Sequence, residues 1–301
     1  MFISQTSLII PTKDRPDKID IFLKTLDKEI TFFNEILIVD SSKENIHKKI
    51  KSKIKNYNNI RIIKSKPSTS IQRNIGIKEY NKRNKFIMFC DDDIIFDKNA
   101  INLMNWYIEH FPDYIGYGFN LIEKNYSVMF DALKKNKFFA LNGIYESQPG
   151  KVAKSGWHSK ISNITENIET EWLSTQACVY RSSLIDEKIY FDTSLGKYSY
   201  LEDLFFSFEL SKIGKLTVCA NATYIHPNEI IRSNFNFGIK EILNRFKFVK
   251  KNRLSIKKFY FTAFLKTIFN LRRIFSVRSN SITKFFGNIT GIILCFINPK
   301  K

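Results

Sequence analysis

Four short apolar runs, separated by stretches of helical spacing, constrain the fold of the first 120 residues more than any other feature. Each run is rich in β-branched or aromatic residues, as strands buried on both faces are. The runs are Ser7–Thr12, Glu35–Asp40, Ile60–Ser65 and Phe86–Asp91. Strands that alternate with helices predict βαβ units with right-handed crossovers. We therefore expect a Rossmann-like α/β fold, with a mixed, mainly parallel sheet flanked by helices.

The stretches between these runs carry apolar residues at the spacing of one helix face. The residues are Ile19, Phe22, Leu23 and Leu26 in the first stretch, Ile46, Ile50 and Ile54 in the second, and Ile71, Ile75 and Ile77 in the third. Ser68 or Ser70 is a candidate N-cap for the third helix, since serine side chains accept hydrogen bonds from the first free amides of a helix.

Polar clusters follow three of the four apolar runs. They are Thr12 to Arg15, Asp40 to Ser42, and Asp91 to Asp93. In open α/β sheets, ligands bind outside the carboxyl ends of the strands. The three clusters therefore predict one shared crevice at that edge of the sheet.

The last of these clusters is the most acidic. Asp91, Asp92 and Asp93 place three like charges at the end of a buried run, where they repel one another and resist burial. A divalent cation offsets that cost, and Mg²⁺ and Mn²⁺ prefer carboxylate oxygens. The alternative is a solvated acidic turn that holds no ligand.

From Tyr114 to about Asn228, short apolar segments alternate with polar loops. Leu201–Ile213 has the apolar spacing of a helix, with Gly214 as its C-cap. Glu202 and Asp203 fall in the first turn, where carboxylates suit the helix dipole. Capping accounts for one acid at that position and less well for a pair.

The net charge of +19 is concentrated at the C-terminus. Residues 232–301 contain 16 lysines and arginines and one acid, Glu241, which leaves only +4 for the rest of the chain. Within this tail, Lys257–Phe275 has apolar residues at helical spacing: Tyr260, Phe264, Ile268, Leu271 and Phe275. Lys258, Lys266 and Arg273 are expected on the opposite side. A basic amphipathic helix of this kind predicts attachment to an anionic membrane surface.

The alternative for the tail is a helical appendage that packs on the rest of the chain. Phe285–Ile297 is too short to span a bilayer, which takes about 20 residues.

The four cysteines lack metal or redox spacing and are expected to be reduced, buried thiols. Met1–Gln5 has no basic segment typical of a secretory signal. We therefore expect a cytoplasmic protein attached peripherally to the inner face of the membrane.

Several segments, in this order, resemble family 2 glycosyltransferases of the GT-A type. They are Ile9–Arg15, Leu37–Ser42, Gln72–Gly76, Phe89–Asp93, Glu171–Ser174, Val179–Arg181 and Tyr200–Asp203. Phe89–Asp93 resembles the DXD motif and Tyr200–Asp203 the ED motif that carries the base. The resemblance extends from about Ser4 to Pro227. It implies the GT-A nucleotide-diphospho-sugar transferase fold and the inverting, metal-dependent transfer of a sugar to a glycan or lipid-linked acceptor, as in surface polysaccharide biosynthesis.

The resemblance also implies roles for individual residues. Asp203 is the expected general base, with Glu202 orienting it or an acceptor hydroxyl. Asp93, Asp91 and His226 are the candidate ligands of Mn²⁺ or Mg²⁺. The nucleotide-sugar donor is expected to contact Pro11, Thr12, Asp14, Arg15, Asp40, Arg73, Asp91, Asp92 and Trp172. Of these, Asp92 is expected to point into the protein, and Trp172 is either a sugar-stacking platform or part of the core.

These roles predict a domain division. Residues 1–230 would form the catalytic domain, with a nucleotide-binding half (1–120) and an acceptor-binding half (121–230), and residues 231–301 the basic helical tail.

Three other functions compete with this one. A nucleic-acid-binding protein would explain the charge, but the basic residues are confined to the tail and the candidate site is acidic. A sugar nucleotidyltransferase would want a glycine-rich loop after the first strand, and Pro11–Asp14 contains no glycine. An inactive relative serving as a scaffold would have no use for Asp93 and Asp203. The oligomeric state is not predicted.

Overall fold

The computed structural model describes seven stretches of the chain: residues 3–26, 33–123, 136–185, 189–196, 198–227, 234–272 and 280–298. Side chains from 269 to 281 lie outside this description. The chain divides into two compact units. The first unit consists of Met1–Asn125 and Ile161–Asn228, and the second unit of Tyr126–Lys160 and Glu229–Lys301.

A nine-stranded sheet forms the centre of the first unit. The strands are β1 (Thr6–Thr12), β2 (Glu35–Asp40), β3 (Ile60–Lys64), β4 (Phe86–Cys90), β5 (Ile95–Phe96), β6 (Gly116–Leu121), β7 (Ile168–Thr170), β8 (Ala177–Arg181) and β9 (Leu216–Ile225). Their order is β3-β2-β1-β4-β8-β6-β9-β5, with β7 beside β9. The first four in that order are parallel, whereas β8 runs antiparallel to β4 and β6. The sheet is thus mixed and mainly parallel.

Nine α-helices lie within the described residues. They are α1 (Pro16–Leu26), α2 (Glu44–Lys53), α3 (Thr69–Glu79), α4 (Ala100–His110), α5 (Lys137–Leu141), α6 (Glu202–Ser211), α7 (Phe235–Lys251), α8 (Ile256–Arg272) and α9 (Asn280–Ile297). Helices α5, α7, α8 and α9 belong to the second unit, and the others to the first.

The predicted strands and helices of the first 120 residues are present, with ends within about two residues. The four apolar residues predicted for α1 are all buried. Ser68, and not Ser70, caps α3: its hydroxyl accepts a hydrogen bond from the Ile71 amide at 3.4 Å. The three loops predicted to meet follow β1, β2 and β4, which are adjacent parallel strands, so the carboxyl ends of these strands share one edge of the sheet.

The second unit has its own core. Ile144, Tyr145 and Trp157 are buried together with Phe246 and Phe259. The Trp157 and Phe259 rings stack with centroids 5.7 Å apart. Residues 136–160 therefore share this core with the C-terminal helices; the sequence analysis assigned the same residues to the acceptor-binding half. Local patterning gave no sign of this long-range packing.

The tail helix predicted over Lys257–Phe275 is α8. Of its predicted apolar residues, Phe264 is 61% exposed and Ile268 37%. Lys266 was expected on a solvated basic side, which is wrong: it lies on the buried side with Phe259 and pairs with Glu241 at 2.9 Å. Arg273, Phe275 and the side chain of Leu271 lie outside the described residues. The four cysteines are free and buried, as predicted.

Candidate active site

Three side chains that could hold a metal ion, which we call the metal cluster, converge at the carboxyl end of the sheet. Asp91 and Asp93 follow β4, and His226 follows β9. Each offers one ligand atom, and these atoms all lie within 4.8 Å of one another. The His226 Nε2 atom is 3.0 Å from an oxygen of Asp93. Two carboxylates and an imidazole form a donor set that suits Mn²⁺. The two carboxylates also suit Mg²⁺, which prefers oxygen ligands.

The electrostatic surroundings shift the pKa values of the two carboxylates in opposite directions. Burial alone would raise the pKa of Asp93, but His226 and Arg15 lower it below the usual value. Burial raises the pKa of Asp91, against the opposing effect of the Arg73 guanidinium. Arg15 donates from the same Nη1 atom to Asp92 and Asp93, at 2.9 Å each. Because Arg15 is 40% exposed, it is placed to contact an incoming anion as well.

Asp92 lies between Asp91 and Asp93 in the sequence, and its side chain points into the protein. It is only 4% exposed and accepts a 2.5 Å hydrogen bond from the Thr12 hydroxyl. Burial raises its pKa to about 6, although Thr12 and Arg15 favour the ionised form. Asp92 therefore ties the end of β1 to the end of β4 and does not face the metal cluster.

Arg73 connects the metal cluster to the second acidic motif. Its guanidinium is buried, with Nη2 donating to Asp91 at 2.9 Å and Nη1 to Glu202 at 2.8 Å. It also lies over the Phe191 ring, 5.5 Å from the centroid. The sequence assigned Arg73 to the nucleotide sugar. In the fold, its two terminal nitrogens donate to carboxylates of the site, and its contact with a nucleotide sugar stays a prediction.

Glu202 and Asp203 occupy the first turn of α6. Leu201 precedes them in the left-handed region, with a φ of 75°. Burial raises the pKa of Glu202, and the neighbouring charge of Asp203 raises it further, while Arg73 opposes both. Asp203 is half-buried, and one of its oxygens accepts a hydrogen bond from the Leu204 amide at 2.8 Å. The two acids thus have different environments: Glu202 is held by Arg73, and Asp203 lies at the helix N-terminus.

The turns after β1 and β2 are joined to each other. Pro11 and Thr12 are the last two residues of β1 and pair with β2 up to Asp40. Asp14, with a φ of 54°, receives a hydrogen bond on its carboxylate from the Lys43 amide, and its own amide donates to the Ser42 hydroxyl at 2.6 Å. The two turns form one wall beside the acidic cluster.

Asp40 is fully buried in that wall. Its carboxylate accepts from the Ser42 amide at 2.8 Å and lies 2.7 Å from His47 Nδ1. Both carboxylate oxygens are therefore engaged within the protein. Sequence reasoning missed His47, although its position seven residues after Asp40, in the first turn of α2, was a usable signal.

Gln72 and Trp172 complete the predicted region. The Gln72 side-chain amide donates to the carbonyl oxygens of Thr12 and Val39 at 2.8 and 2.7 Å, which joins the ends of β1 and β2 to α3. In the sequence, the only indication of this role for Gln72 was that it stands next to Arg73. Trp172 is 6% exposed, so its ring belongs to the buried part of the first unit.

The family comparison gives one match. A sequence model described as "Glycosyl transferase family 2" matches residues 7–161, which include β1 to β4 and the Asp91–Asp93 cluster. No curated protein matches the sequence.

Solved glycosyltransferases share the fold. The mannosyltransferase PcManGT from Pyrobaculum calidifontis, solved with GDP-Man and Mn²⁺, is 11% identical and aligns over 99% of this chain and 88% of its own, with a TM-score of 0.59. TarS 1–349 from S. aureus, solved with UDP-GlcNAc, is 16% identical over 96% and 80% of the two chains, with a TM-score of 0.53. At these identities, the likeness establishes the fold alone. The mixed sheet flanked by helices is that of the GT-A glycosyltransferases.

Proposed function

The chain belongs to glycosyl transferase family 2, and from that premise we propose that it moves a sugar from a nucleoside-diphosphate donor to an acceptor hydroxyl, with inversion and with help from a divalent metal. The observation that carries the proposal is the bridge made by Arg73. One guanidinium contacts both the Asp91 carboxylate and the Glu202 carboxylate, so the metal cluster and the Glu-Asp pair belong to the same site.

Asp91, Asp93 and His226 would hold the metal. Their ligand atoms are close enough together for one ion, and the donor set is hard. When bound, Mn²⁺ or Mg²⁺ supplies Lewis acidity that stabilises negative charge on a leaving diphosphate. Arg15, which is part-exposed beside Asp93, adds a cationic contact for the same diphosphate.

Asp203 acts as the general base in this proposal. It takes the proton of the acceptor hydroxyl while the hydroxyl oxygen bonds to the anomeric carbon and the bond from that carbon to the diphosphate oxygen breaks. A single displacement of this kind inverts the anomeric centre. Glu202, fixed by Arg73 and next in sequence to Asp203, orients the base or a hydroxyl of the acceptor.

The nucleotide is proposed to lie along the wall formed by the turns after β1 and β2. Thr12, Asp14, Arg15 and Asp40 belong to this wall, together with His47. PcManGT was solved with GDP-Man and TarS with UDP-GlcNAc, so the fold accommodates either base. We propose a glycan or lipid-linked acceptor, within the synthesis of a surface polysaccharide.

A donor screen followed by one substitution tests the proposal. A panel of nucleotide sugars is added with and without Mn²⁺, and the donor is the sugar that raises the melting temperature only with metal. Asp203→Asn should then bind that donor normally but lose about 100-fold or more in transfer rate, as expected for removal of a general base. Asp113→Asn, outside the proposed site, is the control. Near-normal turnover by Asp203→Asn would remove this residue from the mechanism, and no metal-dependent donor would contradict the function.

A further inference from the structure

Helices α8 and α9 of the second unit carry an exposed apolar face. We define this apolar face by six residues: Phe261, Phe264 and Ile268 on α8, and Phe286, Ile293 and Phe296 on α9. Each is between 37% and 62% exposed. The positions recur every three or four residues along α8, and every three to seven along α9, so each helix turns one side outward.

The opposite side of α9 packs against α7. Gly287 lies against the Phe235 carbonyl at the start of α7, and a Cβ at Gly291 would come within 2.9 Å of Ile242. Such close approach requires glycine and fixes which side of α9 meets α7. Across α8 and α9, the Tyr260 and Phe296 rings stack with centroids 4.0 Å apart. The outward sides of the two helices therefore adjoin, and their exposure follows from the packing.

The helices of this unit are strongly basic in sequence. Glu241 is the single acid between residues 234 and 298, and it is buried between Lys266 and Lys284, at 2.9 and 3.1 Å. Lys251, at the end of α7, and Lys257, one turn before Phe261 on α8, are exposed. The sequence of the three helices thus supplies cations and apolar groups, and its one acid is buried between two lysines.

We propose that the apolar face docks on an anionic phospholipid bilayer. Aromatic and aliphatic side chains would enter the boundary between headgroups and acyl chains, and the surrounding lysines would face acidic headgroups. A second copy of the chain is a poorer partner, because face-to-face pairing would bring two strongly basic sets of helices together. Among the described helices, none combines the length and the apolar character needed to cross a membrane.

Co-sedimentation of the full chain with lipid vesicles tests this proposal. Vesicles of phosphatidylcholine are compared with vesicles that also contain phosphatidylglycerol, at low salt and at about 1 M salt, where screening acts over roughly 3 Å. The chain should sediment with the phosphatidylglycerol vesicles at low salt and be released in part at high salt. The double variant Phe264→Ser/Phe286→Ser should bind these vesicles at least about tenfold more weakly, since two phenyl rings no longer enter the lipid.

The matched control is Trp106→Ser. Trp106 lies on α4 of the first unit and is 51% exposed, so its removal should leave vesicle binding unchanged. Melting curves identify any variant that has lost its fold, and light scattering gives the oligomeric state. A wild-type chain that stays in the supernatant at low salt overturns the proposal. So does equal sedimentation of the wild type with both lipid compositions, or a double variant that sediments as well as the wild type. A wild-type dimer that the double variant converts to a monomer, without vesicle binding, assigns the face to a second copy instead. None of these measurements depends on sugar transfer.

Discussion

Arg73 is the residue on which the candidate site depends most. It is 1% exposed and contacts Asp91 and Glu202, which lie far apart in the sequence. A buried arginine is tolerated only when carboxylates offset its desolvation, and the same holds for each carboxylate. Asp91 and Glu202 therefore stabilise Arg73 as much as Arg73 positions them.

Replacing Arg73 should cost stability as well as activity. Arg73→Met leaves two acids without their partner, and we expect the free energy of unfolding to fall by about 3–5 kcal/mol. Arg73→Lys should lose less stability than Arg73→Met but remain less stable than the wild type. A single ammonium group does not reach both carboxylates as the two terminal nitrogens of arginine do. Urea unfolding measures both. Arg61→Met is the control: Arg61 is 52% exposed, and Glu35 keeps its bond from the Ser7 hydroxyl, so the loss should stay below about 1 kcal/mol. Equal losses for the two methionine variants would refute the role given to Arg73.

Asp92 and Asp93 are adjacent but should respond differently to substitution. Asp93 belongs to the metal cluster, so Asp93→Asn should weaken Mn²⁺ binding at least about tenfold. Asp92 instead accepts from Thr12 and Arg15, so Asp92→Asn should lower the free energy of unfolding by about 1–3 kcal/mol and leave metal affinity nearly intact. Titration of Mn²⁺ followed by electron paramagnetic resonance, with urea unfolding beside it, separates the two. A larger loss of metal affinity in Asp92→Asn would reverse the assignment.

At the scale of elements, α7, α8 and α9 are held together around one acid. Glu241 of α7 pairs with Lys266 of α8 and Lys284 of α9. Burial alone would raise the pKa of Glu241, but the two lysines lower it to about 2. The stabilisation from this ionised form is present above the usual glutamate pKa and is lost as the pH falls toward 2.

Glu241→Gln should reveal that contribution. At pH 7, the variant leaves two lysines without their acid, and we expect a loss of roughly 3–5 kcal/mol in the free energy of unfolding. Between about pH 4.5 and pH 2, the wild-type chain should lose part of its stability while the variant loses less, so the difference between them narrows. Urea unfolding across this range measures the effect, with Glu209→Gln as control, because Glu209 on α6 is part-exposed and pairs only with a surface lysine of the next turn, Lys212, in the contacts described. A difference that stays constant with pH would show that Glu241 does not titrate as described.

At the scale of the whole molecule, the two units are not consecutive in sequence. Residues 126–160 leave the first unit, contribute Ile144, Tyr145 and Trp157 to the core of the second, and the chain then returns to β7. The C-terminal helices supply the remainder of that core. The second unit is therefore complete only when both segments are present.

Truncation after Pro227 should consequently harm more than the tail. It removes Phe246 and Phe259, the partners of Trp157, and so exposes the apolar groups of residues 136–160. We expect a chain that aggregates, or is cleaved by proteases within that segment, as judged by gel filtration and limited proteolysis. Removal of residues 299–301 alone should have no such effect. A soluble, monomeric 1–227 chain with residues 136–160 protected would contradict the shared core.

The sequence by itself determined the strands, the helices and the edge of the sheet at which the acids lie. These features depend on local periodicity and on the rule that parallel strands end on one side. Only the tertiary structure decided that Arg73 turns inward to Asp91 and Glu202, that Asp40 is engaged by Ser42 and His47, and that Trp157 packs with the C-terminal helices. The physical reason is that most of these contacts join residues distant in the chain, 129 positions for Arg73 and Glu202, where no local pattern records the partner.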